Sequence, residues 1–343
     1  MIPSIALDAM SGDHGPSVVV KAALQILSEI DNLQVILVGD EPILKQLLGY
    51  QPTNMIQRLS IHHTCQQVEM DELPSHALRN KKDSSMRVAI DLLEQGRANA
   101  CVSAGNTGAL MVIARYVLKT LDGIGRPAMI TALPNMQGTY TRMLDLGANV
   151  EVCSEHLFQF AVMGSVLANA VDNLPTPRIG LLNIGQEEIK GNERIKDAAK
   201  LLMSSHSINY VGFVEGDDIF KGTVDVVVCD GLVGNVSLKA AEGVIQLLNH
   251  SVEQNFNQNF MTRLAKRLSK PIIKNLRQKF DPRRYNGASL LGLRGIVIKS
   301  HGSADVLSFY YAIKEALIEV QKNIPSQISK ILATLLSERR RIE

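Results

Sequence analysis

One lysine, Lys190, sits inside the glycine-studded run Gly180-Leu-Leu-Asn-Ile-Gly-Gln-Glu-Glu-Ile-Lys-Gly-Asn192. The Leu/Ile-rich stretch ahead of it reads as a strand that stops at Asn183, and a helix-compatible segment starts near Asn192. A strand end, a loop and a helix start leave backbone N–H groups unpaired beside a mobile cation, which suits an anion such as phosphate. Four other strand-to-helix turns share this polar character, at 8–16, 103–108, 230–235 and 300–305. In an open parallel sheet such turns gather at the strand carboxyl ends, where ligands bind. All five turns are therefore expected along one rim of one sheet.

Familiar catalytic patterns are missing. The chain has no G-x-G-x-x-G after its first strand, no G-x-x-x-x-G-K-[ST], no G-x-S-x-G and no H-E-x-x-H. These absences argue against dinucleotide binding, a P-loop, a serine hydrolase and a zinc protease, and neither a metal nor a cofactor is expected. A site of Gly, Asn, Ser and Lys without a nucleophile–base pair suits a reaction whose nucleophile arrives with the substrate. Phosphate is such a nucleophile, and thiolate, the conjugate base of a thiol with pKa about 8.5, is a tolerable leaving group.

The elements that must position these turns alternate along the chain. Short apolar runs at 4–7, 34–38, 59–62, 100–103, 128–133, 143–146, 178–184, 208–214, 224–229 and 295–299 read as strands covered on both faces. Helical patterns lie between them at 18–30, 84–96, 107–120, 155–171, 192–204, 238–252 and 303–320. This alternation predicts an α/β fold with a doubly wound, mostly parallel sheet. With 343 residues, 45% hydrophobic and 20% charged, the chain has ample material for a core. It is read as a single α/β unit over 1–343.

Formal net charge is only +2, so attraction to nucleic acid or membrane would need a local patch. Cys65, Cys101, Cys153 and Cys229 form no C-x-x-C and read as reduced, buried thiols. No basic leader and no apolar run of about 20 residues is seen, so a cytoplasmic protein is expected, with peripheral membrane association as an option.

One segment, at about 255–285, departs from the alternation. Between Phe256 and Tyr285 lie Arg263, Lys266, Arg267, Lys270, Lys274, Arg277, Lys279, Arg283 and Arg284 against only Asp281. Phe260, Leu264, Leu268, Ile272, Leu276 and Phe280 recur at every fourth position, and Pro271 is placed to divide two helices. This is a basic amphipathic arm, for a dimer partner, an acidic carrier protein or an anionic membrane surface.

Six runs in order resemble the phosphate acyltransferases of bacterial phospholipid synthesis, the PlsX family. They are Asp8-Ala-Met-Ser-Gly-Asp-His-Gly-Pro16, Lys81-Lys-Asp-Ser-Ser-Met-Arg87, Ser103-Ala-Gly-Asn-Thr-Gly-Ala-Leu110, Asn183 to Glu193, Val228-Cys-Asp-Gly-Leu-Val-Gly-Asn235 and Lys299-Ser-His-Gly-Ser303. The resemblance covers essentially the whole chain. It implies a three-layer α/β/α fold similar to phosphotransacetylases and isopropylmalate dehydrogenases, and a homodimer. It implies reversible transfer of a long-chain acyl group from acyl-[acyl carrier protein] to inorganic phosphate, giving acyl-phosphate for a membrane glycerol-phosphate acyltransferase. Two places depart from the family pattern: Ser11 stands where a second glycine is usual, and Asn286-Gly-Ala288 where Gly-Gly-Ala is common.

Under this resemblance Lys190 and Asn235 are the catalytic candidates: Lys190 to hold phosphate or stabilise the oxyanion that forms on the thioester, and Asn235 to donate its amide to the same oxyanion. His14 is the candidate to protonate the leaving thiolate. Asp8, Asp13, Ser103, Asn106, Thr107, Asn183, Asn192 and His301 are the candidate phosphate and acyl contacts. Each has a plainer reading beside it. Lys190 would be a solvated lysine paired with Glu187 or Glu188; Asn235, Ser103, Asn106 and Thr107 would be caps; His14 and His301 would be turn residues. Lys81, Lys82 and Arg87 are a solvated helix start, or an attraction for an acidic carrier. Two other functions remain open: a short-chain phosphotransacetylase using acyl-CoA, and a basic-arm binding module. The arm carries few aromatics and no recognisable nucleic-acid reader, so nucleic acid is not expected as a partner.

Overall fold

The structure, a computed structural model, describes residues 2–256, 258–271 and 281–342, with side chains described through Leu335. Among these residues are β1 (Ser4–Asp8), β2 (Gln34–Gly39), β3 (Leu59–His63), β4 (Ala100–Ser103), β5 (Ala128–Pro134), β6 (Tyr140–Leu144), β7 (Ile179–Leu182), β8 (Tyr210–Val214), β9 (Val226–Val228), β10 (Ala288–Leu291) and β11 (Ile296–Lys299). They form one 11-stranded sheet in the order β3-β2-β1-β4-β11-β10-β5-β6-β9-β7-β8. Every expected strand is present, and β10 is an addition. The expected helices are present as well, joined by Glu41–Leu48, Pro74–Asn80 and Ile324–Ile342.

The apolar runs are continuous because alternate side chains enter different cores. Ile5 and Leu7 of β1 join a cluster with Val19, Ile26, Phe309 and Ile313, from the helices Pro16–Glu29 and Val306–Lys322. Ala6 points the other way, into a cluster with Met86, Ile90, Leu110 and Ile113 from Ser85–Glu94 and Thr107–Leu118. A third cluster lies under the far half of the sheet, around Phe160 and Leu167 of Ser154–Asp172, with Ala198, Leu202, Ile328 and Leu332. Both faces of the sheet are thus covered, giving the three layers expected.

Strand direction corrects one expectation. β1, β2, β3, β4 and β11 are mutually parallel, and so are β6, β7, β8 and β9. Between the two blocks, β11/β10, β10/β5 and β5/β6 pair antiparallel. Three reversals turn the second block over, so its strands point opposite to the first. The turns after β1, β4 and β11 therefore leave one rim of the sheet, while those after β7 and β9 leave the other. The five turns do not share a single rim.

Two smaller corrections follow. Cys101 and Cys229 are buried, but Cys65 and Cys153 are exposed. The helix after β9 is longer than the periodicity suggests, running unbroken over Gly231–Phe256. Helix Phe260–Leu268 follows, with Asn259 and Thr262 capping it reciprocally. Phe260, Leu264 and Leu268 are exposed, as are Leu232, Val233, Val236, Val244, Leu247, Leu248 and Val252 on the longer helix. Ile272, Lys274, Leu276, Arg277, Lys279 and Phe280 lie outside the described residues. No described helix is long and apolar enough to cross a membrane.

Candidate active site

The first rim is built from three neighbouring strand ends. Leu7 pairs with Val102 and Ser103 with Lys299, so Asp8, Ser103 and Lys299 finish β1, β4 and β11 side by side. Ser103 Oγ donates to Asp8 Oδ2 (2.6 Å) and accepts from Gly105 N (3.1 Å). Ser11 Oγ donates to the Asp8 carbonyl (3.0 Å) and accepts from Ala104 N (3.0 Å). Ser11 thus stitches the first turn to the second. It is not among the positive-φ residues, which in this turn are Gly12, at φ +84°, and Gly15, at φ +58°. A side chain at Gly12 would meet the Gly302 carbonyl and Ala104 at 3.0 Å, so the chain passes there only because glycine allows it.

The fifth turn locks onto the other two. Asp13 N donates to the Gly302 carbonyl (2.8 Å), and Ser300 N to the Ser103 carbonyl (2.9 Å). Asn286 completes the frame. Its amide donates to Ser300 Oγ (2.7 Å), and its oxygen accepts from His301 N (3.0 Å). His301 Nδ1 lies 2.8 Å from Ser303 Oγ, and its Nε2 lies 3.4 Å from the Lys239 ammonium. Lys239 also pairs with Glu242 at 2.7 Å.

Burial governs the charges here. Asp8 is pushed above the usual carboxylate range by burial, partly offset by hydroxyls of Ser103, Ser85 and Ser11. Its Oδ1 has no hydrogen-bond partner among the described residues. His301 is held below its ordinary value by burial and by Lys239. Lys299 is lowered to about 8, chiefly by burial and against the pull of Asp8 and Asp13.

The second rim differs. Asn183 is buried at the end of β7, and its amide donates to the carbonyls of Gly185 (3.1 Å) and Lys190 (3.2 Å). This clamps the base of the loop and leaves the Lys190 side chain exposed. Among the described residues Lys190 forms no ion pair with Glu187, Glu188 or any other carboxylate. Asn192 caps the next helix, accepting from Ile195 N (3.0 Å). At the end of β9, Asp230 accepts from Val233 N (2.9 Å) and pairs with Arg194 (2.9 Å). Asp230 is therefore the cap of helix Gly231–Phe256. Asn235 lies in the second turn and carries no side-chain hydrogen bond among the described residues, which removes the capping reading for it. It faces Gly147 in a corner shaped by Asp145, whose carboxylate accepts from Met129 N, Ala148 N and Asn149 N.

One helix joins the rims. Asn235 and Lys239 are four residues apart and so share a helix face. The helix starts at the second rim, and its Lys239 reaches His301 on the first. The structure thus brings together Asp8, Asp13, Ser103 and His301, and links them through Lys239 to Asn235. Asn183 and Asn192 stay with Lys190. Asn106 caps the helix Thr107–Leu118 through Ala109 N (3.0 Å), and its amide donates to the carbonyls of Met70 and Glu72 (both 2.9 Å). Thr107 opens that helix, and His14 is exposed beside the first turn. Arg87 pairs with Asp91 at 2.8 Å and lies over the Tyr116 ring.

Sequence reasoning did not single out Lys239 and assigned no role to Lys299, Ser85 or Asn286, though these three lie in the runs quoted above. Lys299 gave one usable signal: a lone lysine closing the apolar run Ile296–Lys299, directly before Ser-His-Gly. Lys239 gave none, because only the strand directions bring its helix face to His301.

Comparison with known proteins gives a consistent result. A family model described as "Fatty acid synthesis protein" matches residues 4–327. The phosphate acyltransferase of Nitrosococcus oceani is 58% identical over 338 residues, spanning 98% of this chain and 99% of the relative. That of Methylococcus capsulatus is 56% identical over 336 residues, spanning 98% of each. Among solved structures, a phosphotransacetylase from Streptococcus pyogenes superposes with a TM-score of 0.60 at 17% identity, covering 94% of each chain. The EutD phosphotransacetylase from Staphylococcus aureus gives 0.58 at 16% identity, covering 93% of this chain and 94% of its own. At such identities the two structures speak for the fold alone.

Proposed function

The chain belongs to the phosphate acyltransferase family, and on that premise we propose that it moves a long-chain acyl group from acyl-[acyl carrier protein] to inorganic phosphate. It is an acyltransferase. A phosphate oxygen attacks the thioester carbon, the C–S bond breaks, and the proton of hydrogen phosphate ends on the carrier thiol. Acyl-phosphate and free carrier leave. The observation that carries this reading is the 58% identity to a phosphate acyltransferase along nearly the whole chain.

The geometry supports a division of labour between the rims. Phosphate is assigned to the first rim, among Asp13, Ser103, His301 and the start of helix Thr107–Leu118. The thioester carbonyl is assigned to Asn235 and Lys190, whose amide and ammonium have no partner among the described residues and can meet a developing oxyanion. Phosphate brings its own charge, about −1.5 to −2 near pH 7 by analogy with monoesters, so the protein's task is orientation and charge stabilisation. His14, exposed beside the first turn, is the group assigned to return a proton to the thiolate.

A release assay tests the reading. Long-chain acyl carrier plus phosphate should yield free thiol and acyl-phosphate in equal amounts, and acetyl-CoA should yield neither. Turnover of acetyl-CoA at a comparable rate would replace this reading with a short-chain phosphotransacetylase. The exposed apolar face of helix Gly231–Phe256 supports a homodimer, and the basic helix Phe260–Leu268 supports peripheral contact with an anionic membrane. Deleting residues 256–279 should move the protein from membrane to soluble fractions, and unchanged fractionation would remove the membrane role.

A further inference from the structure

We propose that Lys299 is a phosphate-anchoring residue of this reaction: its buried amine supplies the charge that the anion meets at the ends of β1, β4 and β11. The inference rests on the functional reading above and adds a residue to it.

Lys299 is only 8% exposed, yet it lacks what a buried structural lysine needs. Its amine donates to two main-chain carbonyls, those of Ala104 (3.5 Å) and Ser300. No carboxylate lies within ion-pair distance of it among the described residues. Asp8, two strands away, keeps Oδ1 without a donor. A structural ion pair would have joined these two deficits. Instead Asp8 spends its other oxygen on Ser103, and the amine stays turned toward the fifth turn.

Three nitrogen groups converge on that turn: Lys299 on β11, His301 within it and Lys239 on the helix from the second rim. Facing them are Asp8 on β1, Asp13 in the first turn and Glu242 on the helix of Lys239. Glu242 is already taken by Lys239. Glycine backbone at Gly12 and Gly302 borders this cluster, and a small dianion there would meet the Lys299 amine, which no carboxylate pairs with among the described residues. The four-carbon stem lets the amine leave its carbonyls for such a ligand.

The test is Lys299→Met, which keeps an unbranched stem and removes an unpaired buried charge that is costly to desolvate. Its melting temperature should equal or exceed that of the parent. The KM for phosphate should rise at least about tenfold, a loss of about 1.4 kcal/mol of binding, while the KM for acyl carrier stays within about twofold. The rise in melting temperature that inorganic phosphate gives the parent should vanish. The amine is lowered to about 8, so it is charged below that pH and loses its proton above it. Between about pH 8 and 9.5, where phosphate is almost wholly the dianion, the parent's KM for phosphate should therefore climb, and the variant's should stay flat. If Lys299→Met does not fold, the pH profile of the parent decides, and a flat one overturns the proposal. An unchanged phosphate KM in a folded Lys299→Met does the same. Absence of phosphate-dependent thiol release in the parent would instead overturn the functional reading.

Discussion

The two rims are built on opposite plans. On the first, Asp8, Ser11, Ser103, Asn286 and Ser300 are linked by a chain of hydrogen bonds, and most are buried. On the second, Asn183 clamps main chain and Asp230 holds main chain and Arg194, while Lys190 and Asn235 have no side-chain partner among the described residues. A hydrogen-bonded, buried frame is rigid before any ligand arrives; free side chains on a clamped backbone wait for charge to appear. The first plan suits binding a small anion, and the second suits answering a transition state.

This contrast can be broken by substitution. The largest effect belongs to Lys190→Ala, which should lower kcat by about 10²–10³ and leave the thermal melt where it was. A near-normal rate would remove Lys190 from the chemistry. Asn235→Ala should follow with a kcat loss of about 10–10², also without loss of stability, because its amide holds nothing among the described residues. The first rim should behave the other way round. Ser103→Ala takes the donor from a buried carboxylate and should cost about 1–3 kcal/mol in urea unfolding. An unchanged midpoint would show that the frame is looser than its distances imply. The smallest effect sharpens the boundary within the second rim: Asp230→Ala removes a helix cap and should cost about 1 kcal/mol, while Lys190→Ala costs none.

Much of the fold was legible because strand and helix signals were local. Runs such as Ile179–Leu182 and Val226–Val228 are apolar at every position, as strands covered on both faces must be. β10 was not legible. Ala288–Leu291 is four residues long, and its Ser289 looks solvent-facing until Glu319 of Val306–Lys322 is seen accepting from it at 3.0 Å. Missing β10 hid two of the three antiparallel pairings, and with them the reversal that separates the rims. The site was legible in part for the same reason. Asp8, Asp13, Ser103 and His301 advertise themselves through glycine-rich turns, which are local. Lys239 enters through a helix that crosses from the opposite rim, and no spacing in the sequence encodes that crossing.

That helix deserves a mechanical reading. It is a rod of 26 residues, about 39 Å long. Its root carries Asn235 and Lys239, and its tip leads into the cationic segment Phe260–Leu268. Gly234 seats the root so closely on the Asp145 carbonyl that any β-carbon there would collide with it, which makes this spot a tight fulcrum. Whatever grips the tip also fixes the angle at which the root offers its amide and ammonium. A lever of this kind lets a docking event tens of ångströms away trim the alignment of reacting groups without touching them.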